Sequence, residues 1–184
     1  PLPEPRSLPE KAGPKRPTTF DELIKVCDAI HNKDGVAAFT ADKLHHWNWI
    51  PYLMGMGGAV FKAPPENLTP TLTTPQAAAS AEWYANLLMK YGPDGILSYS
   101  DDQAMRSQMS GRANMRTQDT AWQVPLATHA ESTVSKTVRY GLMPAGPNGN
   151  FPGSNSHALG IPAGSKKKEA AWEFIKWAVS KETI

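Results

Sequence analysis

Ile161-Pro-Ala-Gly-Ser-Lys-Lys-Lys-Glu169-Ala-Ala-Trp172-Glu-Phe-Ile-Lys-Trp177-Ala-Val-Ser-Lys-Glu182 decides the reading of this chain, because it joins a turn-forming loop to a helical pattern. Ala171, Phe174, Ile175 and Ala178 recur at the spacing of one helix face, so residues 169 to 180 are expected to form a helix facing a core. Trp172 lies at the edge of that stripe and reads as structural. Trp177 lies nearly opposite its centre, as Trp83 does on its own helix, and partial burial against a neighbouring loop is the plainer expectation for both. The run Lys166-Lys167-Lys168 precedes the helix and reads as solvated.

Working outward, the same grammar marks two more long helices. Thr19-Phe-Asp-Glu22 is a capping-box pattern, after which Phe20, Leu23, Ile24 and Cys27 fall on one face and make Cys27 a packing residue. Thr74-Pro75 supplies a cap and a favoured first helical residue, and Ala78, Ala81, Ala85 and Leu88 form the expected apolar stripe of a helix ending near Gly92. Trp47 to Met56 reads as an aromatic-rich helix closed by Gly57-Gly58. Ser100-Asp-Asp-Gln103 repeats the capping logic before a short helix to about Ser110. Gly35 to Thr40, Ala113 to Arg116, Tyr140 to Met143 and Ser156 to Ile161 are expected strands. Asp119 to Trp122 reads as a loop, and Pro144 to Pro152 as a turn-rich crossing.

In order along the chain, Pro17-Thr-Thr-Phe-Asp-Glu-Leu23, Gly57-Gly58-Ala-Val-Phe61, Gly111-Arg-Ala-Asn-Met115, Trp122 and the opening stretch resemble the signatures of bacterial extracellular solute-binding proteins that feed sugars to ABC importers. The resemblance implies an incomplete α/β type II periplasmic-binding fold, with more chain expected on both sides. Residues 1–17, with five prolines before Pro17, would be an irregular lead-in. Residues 18–150 would be the core of the second lobe, and 151–184 a hinge crossing and a returning segment of the first lobe.

The implied function is capture of a small-molecule carbohydrate or polyol between two lobes that close by a hinge, followed by delivery to the permease subunits. The resemblance further implies a monomeric whole protein, in the periplasm or anchored outside the membrane. Sugars offer hydroxyls in fixed directions and apolar C–H faces, so their sites combine flat rings with a few aimed polar groups. Counted back from Gly57-Gly58, Trp47 falls where a family relative stacks a ring on sugar, and His45 where that relative places a polar contact. Trp122 resembles the family's ligand-facing tryptophan after a strand, at a spacing one residue longer. Arg116 and Asp119 could contribute bidentate hydrogen bonds to neighbouring hydroxyls. Ser154 and Asn155, beside Gly153, could bring amide and backbone groups to the cleft. Asp119 and Asn155 are equally good turn formers.

Composition excludes other classes. The chain has 184 residues, 40% hydrophobic and 20% charged, which suits a folded domain rather than a disordered one. Its net charge of +2 is scattered and gives no nucleic-acid footprint. No apolar run approaches the ~18 residues of a membrane span, and Pro1-Leu-Pro-Glu-Pro is not a signal peptide. One cysteine and five histidines without metal-ligand spacing leave no zinc motif, and Gly55-Met-Gly57-Gly58 lacks the third glycine of a dinucleotide loop. No cofactor or metal is expected. Asp101-Asp102 reads as helix capping rather than as a glycosidase pair. No serine sits in a nucleophile elbow. An enzyme acting on carbohydrate and a non-binding interaction module are the competing classes.

Overall fold

The computed structural model describes residues 15–42, 46–118, 123–153 and 158–183. Each long helix begins where its capping chemistry places it. Helix α1 (Phe20–Ile30) starts behind Thr19, whose side chain accepts from the Glu22 amide, and buries Phe20, Leu23 and Cys27. Burial pushes the Cys27 thiol up to about 12, as packing in a core requires. Helix α2 spans His46–Gly55. Helix α3 (Pro75–Tyr91) has Thr74 as its cap and Pro75 in its first turn, and stops at Gly92. Helix α4 (Asp101–Met109) closes a full capping box between Ser100 and Gln103.

Strands β1 (Ala37–Phe39) and β4 (Ala113–Met115) pair in parallel, Ala37 opposite Ala113 and Phe39 opposite Met115. A parallel pair needs a long crossover, and α2, α3 and α4 all lie within it, together with the exposed antiparallel hairpin of β2 (Phe61–Ala63) and β3 (Asn67–Pro70). Phe20, Cys27, Phe39, Tyr52, Tyr84, Leu87, Leu88 and Tyr91 form the main core. A smaller cluster of Met105, Met109 and Leu126 joins α4 to the short helix α5 (Gln123–Thr128). The turn after Pro144 is fixed by backbone contact. Ala145 exchanges backbone hydrogen bonds with Thr18 and Phe20 at 2.8 and 2.9 Å. Gly146 lies so close to Gly55 that an added Cβ would sit 2.3 Å from the Gly55 carbonyl oxygen.

The chain divides into two compact units, with the break after Gly153. In the second, helix α6 (Lys168–Ala178) forms where the periodicity places it, but it buries no residue. The expected stripe is half-covered at Ala171, Ile175 and Ala178 and open at Phe174, which stands 57% exposed with its ring 5.6 Å from that of Trp177. Trp172, read from sequence as structural, is itself exposed.

Four expectations are corrected. The buried face of α3 is Ala77, Ser80, Tyr84, Leu87, Leu88 and Tyr91, so Ala78 and Ala81 are exposed and Ala85 only half-buried. Alanine favours the helix without choosing a face, whereas two tyrosines and a leucine pair do choose one. Trp83 flanks that face and packs on Phe20 and Tyr52 at 4.9 and 5.3 Å, rather than on a loop. The expected strand Tyr140–Met143 is irregular: the Tyr140 hydroxyl donates to the Gln123 carbonyl at 2.7 Å, and Leu142 is exposed. The expected strand ending at Ile161 is likewise irregular over its described residues, 158–161. A strand exists only where its backbone finds a neighbouring ladder, and neither segment has one among the described residues.

Candidate functional site

The parallel pairing brings two chain segments out of the sheet side by side. Thr40 donates its amide to the Met115 carbonyl at 2.9 Å, extending the ladder one residue past β1. Thr40 to Asp42 and Arg116 to Gln118 therefore leave the sheet together at its carboxyl end, the place where α/β sheets carry their ligand sites.

Arg116 is the centre of this edge. Its side chain is 2% exposed, and one guanidinium nitrogen, Nη2, donates to the carboxylate of Asp101, the first residue of α4. Its Nε and Nη1 have no hydrogen-bond partner among the described residues; nor do the Tyr84 hydroxyl, the Thr40 hydroxyl and the Gln118 side-chain oxygen. Leaving a buried polar group unpaired costs about 1 to 3 kcal/mol, so five such atoms around one sheet edge mark a place where packing alone did not set the residue types. Burial pushes the Tyr84 hydroxyl well above the ordinary phenol range. Tyr52 and Asp42 reinforce that shift and Arg116 opposes it, which puts these three groups within electrostatic reach of Tyr84. The Tyr52 hydroxyl lies 3.1 Å from the Thr117 hydroxyl, and Asn48 donates to Asp42.

Of the residues nominated from sequence, Trp47 and Arg116 are described; Arg116 lies at this edge, and Trp47 precedes Asn48, which donates to Asp42 there. Trp47 stands in the first turn of α2, the helix that follows β1, with 56% of its surface exposed. Its neighbour Trp49 turns inward and donates to Ser80 at 3.2 Å. His45, Asp119, Trp122, Ser154 and Asn155 lie outside the described residues. Sequence reasoning missed Thr40, Tyr84 and Gln118, and it gave Asp101 only a capping role. The signal for Thr40 and Gln118 was their place just past two apolar strand segments. Tyr84 carried none, because a tyrosine on an apolar helix face reads as core.

The amino end of the same sheet is chemically different. A cavity of about 440 Å³ opens there, lined by His31, Lys90, Asp94, Tyr99, Ser107 and Arg112 among others. Its cations already have structural work. Lys90, in the last turn of α3, pairs with Asp28 at 2.9 Å; Arg112 follows the end of α4, and both suit the negative ends of helices. His31 accepts the Ala38 amide on Nδ1 at 3.3 Å. Among the described residues no group of three His, Cys, Asp or Glu side chains is placed to hold a metal ion.

Comparison with known proteins sets this edge in context. The family model for bacterial extracellular solute-binding protein matches residues 6–183. The chain is 26% identical over 171 residues to the diacetylchitobiose binding protein DasA of Streptomyces coelicolor, covering 89% of this chain and 39% of that protein. An ABC transporter solute binding protein from Agrobacterium vitis S4, with bound D-mannitol, superposes with a TM-score of 0.68 at 26% identity, over 93% of this chain and 42% of that one. Maltose-bound MalE3 of T. maritima superposes at 0.69 with 22% identity, over 92% and 44%. The chain thus spans about two-fifths of the length of these relatives, and its α/β architecture is part of the periplasmic-binding fold.

Proposed function

We propose, from the premise that the chain belongs to the bacterial extracellular solute-binding protein family, that the full-length protein carrying it captures a carbohydrate or polyol between two lobes and presents the closed form to the permease of an ABC importer. Members of this family are binding proteins rather than enzymes, and their family places them outside the cytoplasm. In this reading residues 18–150 are the core of the second lobe, and 151–184 are the hinge crossing and a returning part of the first. The protein acts as a monomer and makes or breaks no bond.

The observation that carries the proposal is the family match across nearly the whole chain. Support from the relatives is of one kind: mannitol, ribitol and maltose are named as bound in similar structures. Support from this chain is the exposed Trp47 in the first turn of α2 and a sheet edge where Arg116 and Gln118 hold polar atoms without partners among the described residues. Trp47 would stack on a sugar face, with His45, Arg116, Asp119, Trp122, Ser154 and Asn155 completing the contacts.

A thermal-shift panel on the full-length protein tests this, because a ligand that binds only the folded state raises stability with concentration. Sugars or sugar alcohols should raise the melting temperature and be recovered chemically unchanged after prolonged incubation. Stabilisation by amino acids or peptides and by no carbohydrate would make the ligand class wrong. Recovery of a cleaved sugar would favour the carbohydrate-active enzyme instead.

A further inference from the structure

Helix α2 carries Trp47 in its first turn but is poorly equipped to hold that ring in place by itself. It has ten residues, and Pro51 in its interior removes one hydrogen bond from its ladder. We propose that residues 145–153, laid along α2, position this helix and its tryptophan for ligand, with Gly146 and Asn148 as positioning residues that do not touch ligand themselves. The proposal rests on the carbohydrate reading above and assigns the residues that serve Trp47 within it.

The contact begins at the carboxyl end of α2. The chain just past the helix meets the carbonyls of Tyr52, Leu53 and Met54 with the amides of Met56, Gly57 and Gly58. The Gly55 carbonyl instead takes the Asn148 amide at 2.8 Å, and the Asn148 side chain adds a longer bond of 3.4 Å to the Met54 carbonyl, 94 residues back in sequence. Helix ends need such partners for their last carbonyls. Beside this cap, backbone lies on backbone: a Cβ on Gly146 would sit 2.3 Å from the Gly55 carbonyl oxygen, so only glycine permits the approach.

The segment is itself held on both sides of that contact. Gly146 and Gly149 exchange backbone hydrogen bonds at 2.9 and 3.0 Å, the Asn150 side chain donates to the Met143 carbonyl, and Ala145 is bridged to Thr19 at the start of α1. Its far end reaches the middle of the helix, where a Cβ on Gly153 would meet Pro51 Cγ at 3.5 Å. Pro51 stands about one helical turn from Trp47. Trp49 and Tyr52 fasten α2 to Ser80 and Thr117, and residues 145–153 fasten its carboxyl end. A ring that stacks on a sugar needs its helix fixed by such supporting contacts.

Calorimetric titration of the full-length protein with mannitol, ribitol, maltose and diacetylchitobiose, each run beside a thermal melt, tests this. For a carbohydrate that binds the unaltered protein, Gly146→Ala should weaken binding about tenfold, because the added methyl must push the segment off Gly55. Gly153→Ala, whose methyl makes only ordinary contact, and Leu88→Ala, a core change on α3, should both bind as the unaltered protein does. A merely structural role would lower the melting temperature of Gly146→Ala and leave its affinity unchanged. That result overturns the proposal, as does an equal loss of affinity in Leu88→Ala. If Gly146→Ala does not fold, Asn148→Ala decides, since it removes only the side-chain bond to Met54: binding weakened about threefold supports the proposal, and unchanged affinity overturns it. All of these outcomes leave the carbohydrate reading intact. Binding of amino acids or peptides and of no carbohydrate overturns both.

Discussion

The two ends of the β1–β4 sheet use the same kinds of residue for opposite purposes. At the amino end Arg112 and Lys90 sit where helices α4 and α3 finish, and Asp28 takes both the Lys90 ammonium at 2.9 Å and the Tyr91 hydroxyl at 2.7 Å. At the carboxyl end the Arg116 side chain is buried and engaged at Nη2, and the Thr40, Tyr84 and Gln118 side chains carry oxygens without partners among the described residues. The difference teaches that charge alone does not mark a site. What separates the ends is how many polar atoms are left unmatched: among the described residues the carboxyl end has five buried without a partner, whereas of the cavity-lining side chains at the amino end the Ser107 hydroxyl is buried without one.

The core beneath both ends offers the largest way to break the comparison. Leu88 is fully buried in the main core, and Leu88→Ala should cost about 2 to 5 kcal/mol of stability in urea unfolding of the full-length protein. Smaller loss would mean that the two ends do not share one core. Next, Trp47→Ala should weaken carbohydrate binding by about 1 to 3 kcal/mol, with folding largely kept because the ring is more than half exposed. Unchanged affinity by calorimetry would return Trp47 to packing.

The Cys27 thiol gives a pH-dependent test of the same core. Its folded value of about 12 exceeds the ordinary 9.0, so the fold favours the neutral thiol. Stability from this group is complete below pH 9.0 and falls as pH rises toward 12. At neutral pH the thiol should react with a disulfide reagent only as fast as the protein unfolds, and prompt labelling would contradict its burial. The smallest effect belongs to the amino end. Asp28 is held below its ordinary carboxylate value by hydrogen bonds from Lys90 and Tyr91, so its contribution is present above pH 3.8 and fades as pH falls through the lowered value. Because the pair is exposed, Asp28→Asn should leave the neutral-pH melting temperature almost unmoved.

Much of the fold was legible because its helices announce their own starts. Thr19, Thr74 and Ser100 each cap the helix predicted from them, and the cap is a local signal that needs no knowledge of the rest. The face of α3 was not legible, since Ala78 and Ala81 repeat at helical spacing but carry too little surface to compete with Tyr84, Leu87 and Tyr91. The irregular run at Tyr140 was misread because strand propensity describes a segment, while a strand is a relation between two. The hairpin of Phe61–Ala63 and Asn67–Pro70 escaped notice for a related reason: both its strands are mostly exposed and show no alternation. At the candidate site, Trp47 was nominated by family spacing and Arg116 by its hydrogen-bonding chemistry after a strand, while Tyr84 and Gln118 became visible only once the parallel register had brought β1 and β4 together.

The most direct test of the central claim, that ligand is held at the carboxyl edge of this sheet, compares two arginines in one experiment. Calorimetric titration of the full-length protein with its best-stabilising carbohydrate should show Arg116→Ala weakened at least about tenfold, and Arg112→Ala, at the amino end, indistinguishable from the unaltered protein. Loss of binding in Arg112→Ala together with full affinity in Arg116→Ala would place the ligand at the other end of the sheet and contradict the account.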